Sequence, residues 1–439
     1  MFTIPNKLWK AILYFFYLLI FFLLFLFCEK SPSPLLSGQV RLTAEEVGVT
    51  EVWLGVQTAH IIGEFSLKVW RDDTCIFRGV FSGADTTVYD SRLRPAHRYR
   101  YRARLERNGH PVLESAPLEI TTMDTTSHEF TWEIIEIPSP YGSGVLYDVA
   151  IIDENDIWAV GEIYADSIQP WLPYNAVHWD GQRWELRRIP YYYRGSVWYL
   201  PLKSIIAFSK NDIWFEAGIH WNGNEFETRS LNIEFPSHVN KMWGTSSDNF
   251  YIVGNNGLIA HYDGSRWQKI ESGTELPIKD IWGVVDWKTG KENILAVACN
   301  LFSNEGIAVL QITENSVHET STTNLPVNIS SVWSDDGREW YICGNSLYKT
   351  RNLNQPWKPV SGLPPIFQQQ VRGKGPNNIF IVGNFGLVLH WNGFNWRYYS
   401  AFQGILLGLA IKDNLVVAVG SKLDGIVADS GIILVGRSN

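Results

Sequence analysis

Four histidines recur in one short motif, and histidine is the side chain that most often supplies metal ligands or acid–base groups near neutral pH. The motif is His, then Trp or Tyr, then Asp or Asn, then Gly, and it begins at His178, His220, His261 and His390. Each copy lies in a separate repeat, so equivalent positions around a ring would hold the four imidazoles far apart. The pattern therefore predicts that each histidine bonds the neighbouring turn, and it predicts neither a metal site nor a shared catalytic centre.

Carboxylates are the other side chains here that could do acid–base chemistry, because glycoside hydrolysis uses two of them across a cleft. Acidic residues recur at the first turns of the repeats, as in 153–156. Turn formation and solvation account for side chains at such positions. We therefore assign no catalytic residue and no cofactor from the sequence.

Aromatic residues cluster in the first repeat, where they are the best candidates for binding a ligand. One group lies in the predicted connection between the second and third strands of that repeat, and the other lies in the segment that leaves it. Aromatic faces bind sugar rings and peptide side chains, and exposed Tyr and Trp are typical of interfaces. The two connections should emerge on the same face, so the rings could form one surface patch or pack on each other as a private minicore. The eight residues are Tyr164, Trp171, Tyr174, Tyr191, Tyr192, Tyr193, Trp198 and Tyr199.

A second group of candidates recurs in the first strand of successive repeats. Trp243, Trp282 and Trp333 occupy equivalent positions in the third to fifth repeats, and Arg372 takes that position in the sixth. Side chains placed there either pack between neighbouring repeats near the central axis or line the mouth of a central channel as a ligand platform. The sequence favours packing and leaves the channel role open.

The repeats that carry these residues begin at about residue 128 and share a three-part pattern. A segment such as 156–161 (DIWAVG) is followed by the histidine motif and then by an aromatic residue such as Trp184. Seven copies start near 147, 204, 241, 280, 330, 370 and 406, and they average about 40 residues, the size of a four-stranded propeller blade. We expect the Asp-Gly and Asn-Gly pairs to form two-residue turns with positive φ at both positions.

The last repeat lacks a fourth strand, and a spare strand precedes the first repeat. Residues 131–138 match 183–190, the fourth strand of the first repeat, but have no repeat of their own. We predict that this segment completes the seventh blade and joins the two ends of the ring, which would remove an open sheet edge.

Residues 39–124 show a separate pattern of alternating strands and turns, of a length that suits a small β-sandwich. Trp53 lies in an early strand, and we expect its ring to fill the space between the sheets. Leu93, Pro95 and Tyr99 lead into an alternating strand. This Leu-x-Pro-x-x-x-Tyr spacing, with Trp53, resembles the fibronectin type III family. The resemblance implies that the Tyr99 hydroxyl bonds back to the main chain.

The repeats resemble bacterial secreted β-propellers related to the sialidase-type and photosystem-assembly-factor groups. The resemblance implies the fold and not the chemistry. The sialidase Asp-box is not met, since 334–340 is one residue short between Ser334 and Gly337, and no sialidase arginine triad can be assigned. The predicted fold is thus all-β: a fibronectin type III sandwich at 39–124, followed at 128–439 by a seven-bladed β-propeller closed by an N-terminal strand.

The N-terminus predicts export. Lys7 and Lys10 precede an apolar run at 11–27 that ends at Cys28, and this resembles a bacterial lipoprotein leader with Cys28 as the lipidated residue. Phe27 is unusual before such a cysteine, so an uncleaved membrane anchor is the alternative. With either, residues 1–28 would hold the rest of the chain outside the cytoplasm, and 29–38 would be a linker.

Composition and cysteine count narrow the function classes further. A net charge of −8 shows no basic face for nucleic acid. Besides Cys28 the chain has Cys75, Cys299 and Cys343, without metal-binding spacing. The last two fall in corresponding strands of consecutive repeats, so a bridge between them is conceivable, while buried free thiols are the simpler interpretation.

These features predict a non-catalytic binding or assembly protein of a bacterial cell envelope, anchored at the outer membrane or cell surface. Its propeller would recognise a glycan or an envelope protein. The alternative is a carbohydrate-active enzyme, a glycoside hydrolase or lyase, with its site at the channel mouth. A close pair of loop carboxylates with a perturbed pKa beneath the aromatic residues of the first repeat would favour the enzyme.

Overall fold

The computed structural model describes residues 38–439 apart from 62, 83, 84, 230–237, 287, 288, 302, 304, 305, 315, 401, 426 and 439. The described chain is all-β, as predicted, with a short 3-10 helix at Glu216–Gly218. Its described residues form two compact units, which are divided between Met123 and Asp124. The predicted leader and Cys28 lie outside the described residues. In the part that is described, no helix is long and apolar enough to cross a membrane.

The first unit contains two antiparallel sheets that enclose one apolar core. Its strands are β1 (Gln39–Val47), β2 (Glu51–Ala59), β3 (Phe65–Arg71), β4 (Thr74–Phe81), β5 (Thr86–Ser91), β6 (Arg98–Arg107), β7 (His110–Glu114) and β8 (Leu118–Thr121). One sheet has the order β1-β2-β5, and the other has the order β4-β3-β6-β7, with β8 also paired to β6. Alternate residues point inward, as with Tyr101, Ala103 and Leu105 in β6, because side chains alternate between the two faces of a strand.

Of the two aromatic residues that mark this unit in the sequence, Tyr99 makes the expected contact and Trp53 does not. Arg94 donates its backbone N–H to the Tyr99 hydroxyl oxygen at 2.9 Å, which is the main-chain bond that the corner motif implies. The prediction for Trp53 is wrong, because this half-buried residue is not part of the core. Its neighbours Val52 and Leu54 point inward, so strand alternation places Trp53 on the outer face. There its ring lies 4.6 Å from that of Tyr89.

The second unit contains, among the described residues, seven four-stranded antiparallel sheets and a two-stranded hairpin. Its first strands are β9 (Phe130–Pro138), β10 (Gly144–Asp153), β11 (Asp156–Ile163), β12 (Tyr174–Trp179), β13 (Trp184–Arg187), β14 (Tyr191–Tyr193), β15 (Ser196–Trp198), β16 (Ile205–Ser209), β17 (Asp212–Phe215), β18 (Ile219–Trp221) and β19 (Phe226–Thr228). The middle strands are β20 (Val239–Ser246), β21 (Asn249–Gly254), β22 (Ile259–Tyr262), β23 (Trp267–Lys269), β24 (Ile278–Val285), β25 (Glu292–Cys299), β26 (Ile307–Thr313), β27 (Ser316–Glu319), β28 (Ile329–Ser334), β29 (Trp340–Gly344), β30 (Tyr348–Thr350) and β31 (Lys358–Pro359). The last are β32 (Gln368–Gly375), β33 (Asn378–Gly383), β34 (Leu387–Trp391), β35 (Trp396–Ser400), β36 (Gly404–Lys412), β37 (Leu415–Asp424) and β38 (Val427–Ser438).

Six of the sheets use four consecutive strands, namely β10–β13, β16–β19, β20–β23, β24–β27, β28–β31 and β32–β35. The seventh has the order β36-β37-β38-β9, and β14 with β15 forms the hairpin. The first strand of each sheet contacts those of the two adjacent sheets, and β36 contacts β10. Neighbouring sheets also share apolar cores, as where Leu295 and Val297 of β25 meet Ile329 and Val332 of β28.

The strand that precedes the first sheet belongs to the last one. β9 pairs with β38 over its whole length, from Phe130 opposite Ser438 to Pro138 opposite Ser430. Ile135 packs against the apolar cluster that the first and last sheets share. Residues of β9 thus cover the outer edge of the seventh sheet.

The Asp-Gly and Asn-Gly turns differ from the expectation. Trp179 pairs directly with Trp184, so the connection between them has four residues and not two. Gly181 has a φ of 88°, but Asp180 does not have a positive φ. Its Oδ1 instead accepts hydrogen bonds from the backbone N–H groups two and three positions on, at 2.8 and 2.9 Å. The same pattern occurs at Asn222, Asp263 and Asn392. The side-chain oxygen therefore holds the turn, and only the glycine needs the left-handed region.

The cysteines of the described chain are free thiols. Cys299 and Cys343 are buried, as the simpler interpretation held, and Cys75 is half-buried. Burial raises the pKa of the Cys343 thiol to about 12 and also raises the pKa of Cys299. Neither buried thiol is set up to react as a thiolate.

Candidate functional site

A polar cavity of about 350 Å³ lies where the first strands of the seven sheets meet. Its volume falls within the range of small-molecule sites. Most of the wall is built from two tiers of residues, at consecutive positions in or just before each first strand. The first tier consists, in sheet order, of Tyr147, Lys203, Asn240, Lys279, Ser330, Gln369 and Leu407. The residues that follow them form the second tier: Asp148, Ser204, Lys241, Asp280, Ser331, Gln370 and Gly408. All of these except Ser204 and Gly408 line the cavity, and so does Leu301.

The second tier ties adjacent first strands together. Asp148 Oδ2 accepts the backbone N–H of Ile205 in the next sheet at 3.1 Å, and Asp280 Oδ2 accepts that of Val332 at 3.1 Å. Ser331 Oγ and the Gln370 side-chain oxygen accept the equivalent N–H groups of the sheets that follow them. These polar side chains therefore complete the backbone hydrogen bonding of strands that lie too far apart at the axis to pair with each other.

Two ion pairs hold the charged residues of the second tier, one of them with Arg372, which does not line the cavity. Lys241 Nζ lies 2.5 Å from Asp148 Oδ1, and the Arg372 guanidinium makes two bonds of 2.8 and 2.9 Å to the Asp280 carboxylate. Burial raises the pKa of Asp280, but the Arg372 charge outweighs it, with help from Lys241, and the net pKa lies below the usual range. Each carboxylate of the cavity is thus held by a fixed cation.

Two lysines of the first tier are not paired in this way. Within the described part of the chain, the ammonium groups of Lys203 and Lys279 make no ion pair and no hydrogen bond. Burial lowers the pKa of Lys279, Cys299 opposes that shift, and the charge of Lys203 adds to it. Lys203 lies just before β16 of the second sheet and Lys279 lies in β24 of the fourth, with Asn240 of the third sheet between them in sheet order.

A hydrogen-bonded group connects the cavity to the first aromatic segment. The Tyr147 hydroxyl donates to Glu162 Oε1 at 2.7 Å, and the Tyr164 hydroxyl donates to Glu162 Oε2 at 3.2 Å. Burial, followed by the bond to Glu162, raises the pKa of Tyr147. Glu162 therefore joins a cavity residue to one of the eight aromatic candidates.

A buried glutamate lies near the same wall. Glu216 Oε2 accepts the backbone N–H of Lys203 at 2.7 Å, and Oε1 lies 3.6 Å from His238 Nδ1. Burial raises the pKa of Glu216, and the bond from Lys203 and the charge of His238 oppose that rise. No pattern in the sequence had marked this residue.

The exit segment of the first sheet forms a hairpin of its own. β14 and β15 pair Tyr191 with Trp198 and Tyr192 with Val197, around a turn in which Arg194 and Gly195 both have positive φ. Tyr191 packs against the core between the first and second sheets, and the Tyr192 N–H donates to Thr228 Oγ1 at 2.9 Å. The hairpin is therefore fixed to the second sheet at its base.

Beyond that base, the side chains of the hairpin are open to solvent. Tyr192 and Tyr193 are each 48% exposed and Trp198 is 54% exposed. Tyr193 stacks on Tyr191 with a ring separation of 6.0 Å, and Tyr199 is half-buried. The result is an apolar surface carried by a paired backbone.

The other aromatic segment is held by polar contacts. The Arg188 guanidinium donates to Asp166 Oδ2 at 2.8 Å and lies 4.2 Å from the centre of the Tyr174 ring. Tyr164 and Tyr174 are half-buried, whereas Trp171 is 73% exposed. Asn175 bonds the backbone oxygens of Ile189 and Leu200 at the two ends of the exit segment. In the described residues no pair of aromatic rings joins the two segments, so they do not form a shared aromatic minicore.

Trp243, Trp282, Trp333 and Arg372 are not wall residues of the cavity. A side chain at Gly283 or Gly373 would collide with the ring of Trp243 or Trp333, because each indole lies on a glycine of the next sheet. Trp282 donates its Nε1–H to the Ser334 oxygen at 2.8 Å, and Arg372 lies 4.8 Å above the Trp282 ring. They pack between neighbouring sheets, which is the role that the sequence favoured over lining a channel.

The residues that do line the cavity were missed in the sequence. In the third to sixth sheets they lie two and three positions before Trp243, Trp282, Trp333 and Arg372. The sequence contained a signal for them, because the residue two positions before each of these four candidates is polar. These residues are Lys241, Asp280, Ser331 and Gln370. A polar side chain in an inner strand needs a partner, and equivalent positions in successive repeats place those partners opposite one another.

The recurring histidines form a repeated structural unit away from the cavity wall. His178, His220 and His261 each bond, through Nε2, the Asp or Asn that begins the second strand, at 2.7–2.9 Å. Each ring also packs on an aromatic residue of that strand, as His178 does on Trp158 at 4.0 Å. Since the four histidines lie in four different sheets, each serves its own sheet.

His390 departs from this unit and gives a pH-dependence that can be measured. It is fully buried, with its Nδ1 2.9 Å from His128 Nδ1, and burial together with the His128 charge lowers its pKa to about 3. The unfolded chain would bind a proton near pH 6.5, so stability is lost as the pH falls below that value. From pH 7 to pH 5 we expect a loss of about 2 kcal/mol in the free energy of unfolding of the second unit.

Urea denaturation of the full chain at several pH values would measure this loss. The variant His390→Gln should flatten the pH slope, while His318→Gln, at an exposed position, should leave it unchanged. An equal slope in wild type and His390→Gln would contradict the assignment.

No protein-family model and no curated protein sequence matches the chain. Solved structures do match. YCF48 bound to D1 peptide has a TM-score of 0.53 and 14% identity, and the match covers 72% of this chain and 99% of that one. YCF48 from Cyanidioschyzon merolae has a TM-score of 0.50 and 15% identity, over 69% of this chain and 98% of that one. At such identities the similarity concerns the fold, and it supports a β-propeller.

Proposed function

We propose that this chain is a non-catalytic binding protein of the bacterial cell envelope, whose β-propeller recognises a partner protein through the hairpin β14–β15. The observation that carries the proposal is the exposure of Tyr192, Tyr193 and Trp198 on a backbone that is itself paired and fixed. Large aromatic side chains held rigidly in solvent are typical of the central contacts of protein interfaces.

The architecture that we propose is a closed ring of seven blades with a fibronectin type III module before it. The ring is supported by the contact between β36 and β10 and by the pairing of β9 with β38. The module is supported by its two-sheet core and by the bond from Arg94 to Tyr99. Lipidation at Cys28, or an uncleaved anchor at 1–28, would hold both at the membrane.

A structural neighbour supports a protein as the class of partner. YCF48 has been solved bound to D1 peptide, so a propeller of this fold has a surface that holds a polypeptide. A paired hairpin with alternating side chains suits such a partner, because Tyr192 and Val197 share one face and Tyr191 and Trp198 share the other. A glycan remains the other ligand class for the same aromatic surface.

The cavity carboxylates argue against the enzyme alternative. Asp148 and Asp280 are each held in an ion pair, whereas acid–base catalysis needs a carboxyl group that can exchange its proton. Glu216, with its raised pKa, is the observation in favour of an enzyme. Glycan cleavage by the wild type that is lost in Glu216→Gln would establish that alternative.

Site-specific photo-crosslinking in intact cells tests the proposed surface. A photoreactive phenylalanine analogue is placed at Trp198 or, as a matched control, at Phe394, which is 58% exposed in the 392–395 turn. That turn joins third and fourth strands, and the hairpin follows a fourth strand, so the two positions lie at opposite ends of the sheets. We expect one protein to be crosslinked from 198 and not from 394.

The partner found in this way is then purified, and its affinity for variants of the chain is measured by calorimetry. Trp198→Ala should weaken binding about tenfold or more, since truncating a central interface aromatic costs at least about 1.4 kcal/mol. Phe394→Ala should bind as the wild type does. Equal crosslinking from both positions, or binding that Trp198→Ala leaves unchanged, would show that the hairpin is not the binding surface. If the chain instead binds a glycan array and Trp198→Ala abolishes that binding, the ligand is a glycan and not a protein.

A further inference from the structure

We propose that the central cavity of the second unit is a binding site for a small oxyanion, a carboxylate or a phosphate, held between Lys203 and Lys279. This site is separate from the hairpin surface and does not depend on the partner protein. The proposal rests on which polar groups of the cavity wall already have partners and which do not.

The uncharged donors of the first tier are committed to the protein. The Tyr147 hydroxyl donates to Glu162, and both hydrogens of the Asn240 amide are used, on Asn255 Oδ1 and on the Ile278 oxygen. Ser330 donates to the Gln368 oxygen at 2.6 Å, and Gln369 donates to Asn384. These residues shape the cavity and offer it mainly oxygen lone pairs.

The charged residues of the second tier are also matched. Lys241 is paired with Asp148, and Asp280 is paired with Arg372, which does not line the cavity. Among the described wall residues, the ammonium groups of Lys203 and Lys279 are left without a hydrogen-bonded partner. The wall therefore has an excess of positive charge at two points that flank Asn240.

Two cations that face one cavity repel each other unless an anion lies between them. Burial and the charge of Lys203 both lower the pKa of Lys279, Cys299 opposes that shift, and the net pKa remains below its usual value. A bound oxyanion would accept hydrogen bonds from both ammonium groups, and charge-assisted bonds of this kind are the strong ones. A volume of about 350 Å³ has room for a small anion with some of its water, since a water molecule occupies about 30 Å³.

Titration calorimetry of the full-length protein in detergent tests the site with three probes: inorganic phosphate, succinate and the uncharged succinamide. We expect at least one of the two anions to bind and succinamide not to bind. If phosphate binds and succinate does not, the site is a phosphate site. If succinate binds and phosphate does not, it is a carboxylate site. Failure of both anions to bind would overturn the proposal.

Substitutions locate the binding. Lys279→Gln and Lys203→Gln should each lower the affinity for the anion at least about tenfold, because each removes one charged donor of the pair. Lys269→Gln is the matched control, since Lys269 is exposed and ion-paired to Glu271 on the outermost strand of the third sheet. An equal loss in Lys269→Gln, or no loss in either cavity variant, would show nonspecific charge binding and overturn the assignment. Protection of the wild type against thermal unfolding by the anion, absent in the cavity variants, gives a second readout.

Discussion

Replacing Arg372 by methionine is expected to lower the free energy of unfolding of the second unit by about 3–5 kcal/mol. The change leaves the Asp280 carboxylate buried without the guanidinium that makes two bonds to it. It also removes the contact with the Trp282 ring and the bond to the Val332 oxygen. Urea denaturation of the full chain, followed by tryptophan fluorescence, measures the loss.

Two further variants show whether the charge is the cause. Adding Asp280→Asn to Arg372→Met removes the unpaired charge but keeps an oxygen for the Val332 N–H, so much of the lost stability should return. Arg437→Met, in an exposed pair with Glu133, should cost less than about 1 kcal/mol. If the double variant is no more stable than Arg372→Met, the ion pair is not what holds these sheets.

The pH-dependence of the pair has a definite sign. The pKa of Asp280 in the folded chain lies below its ordinary value, so the pair stabilises the fold at neutral pH. That contribution is lost as the pH falls below about 4, where the unfolded carboxyl binds a proton first. The loss through Asp280 therefore occurs at a lower pH than the loss through His390, which begins near pH 6.5.

Replacing Ile135 by aspartate is expected to be as disruptive as breaking the ion pair, at about 3 kcal/mol or more. Ile135 lies in β9 and packs against the cluster that contains Leu146 of the first sheet and Ile433 of the last. A charge there opens the contact through which the two ends of the second unit hold each other. The midpoint of urea denaturation and susceptibility to limited proteolysis near residue 135 would measure the effect.

The control for this change is the adjacent residue. Ile134 is in the same strand and is 46% exposed, so Ile134→Asp should cost less than about 1 kcal/mol while making the same chemical change. A similar loss in both variants would show that the strand is sensitive to any aspartate. A small loss in Ile135→Asp would show that β9 is not needed to join the last sheet to the first.

The amino-acid sequence predicted the strands of the second unit because hairpins between consecutive strands are local. The segment at 156–161 and the match of 131–138 to 183–190 were visible without any structure, and β11 and β9 lie there. Trp53 and the Asp-Gly turns were predicted wrongly. In a strand a shift of one residue exchanges the two faces, and at Asp180 a side-chain oxygen replaced the backbone conformation that was expected.

Of the two candidate sites, the sequence indicated one and not the other. The aromatic hairpin could be found from composition, since Tyr191–Tyr193 and Trp198 stand close together in the chain. The cavity could not, because its wall draws on all seven sheets, and Arg372 and Asp280 are 92 residues apart.

By itself the sequence determined the all-β class, the repeat, the turn positions and the aromatic content of the first sheet. These depend on side-chain alternation and on short-range turns. Only the tertiary structure decided which polar side chains meet at the centre, that Lys241 and Arg372 neutralise the two aspartates, and that Lys203 and Lys279 are left over. The reason is physical: the energy of a charge depends on its distance from other charges and from water, and for residues on different sheets the packing of the sheets sets those distances.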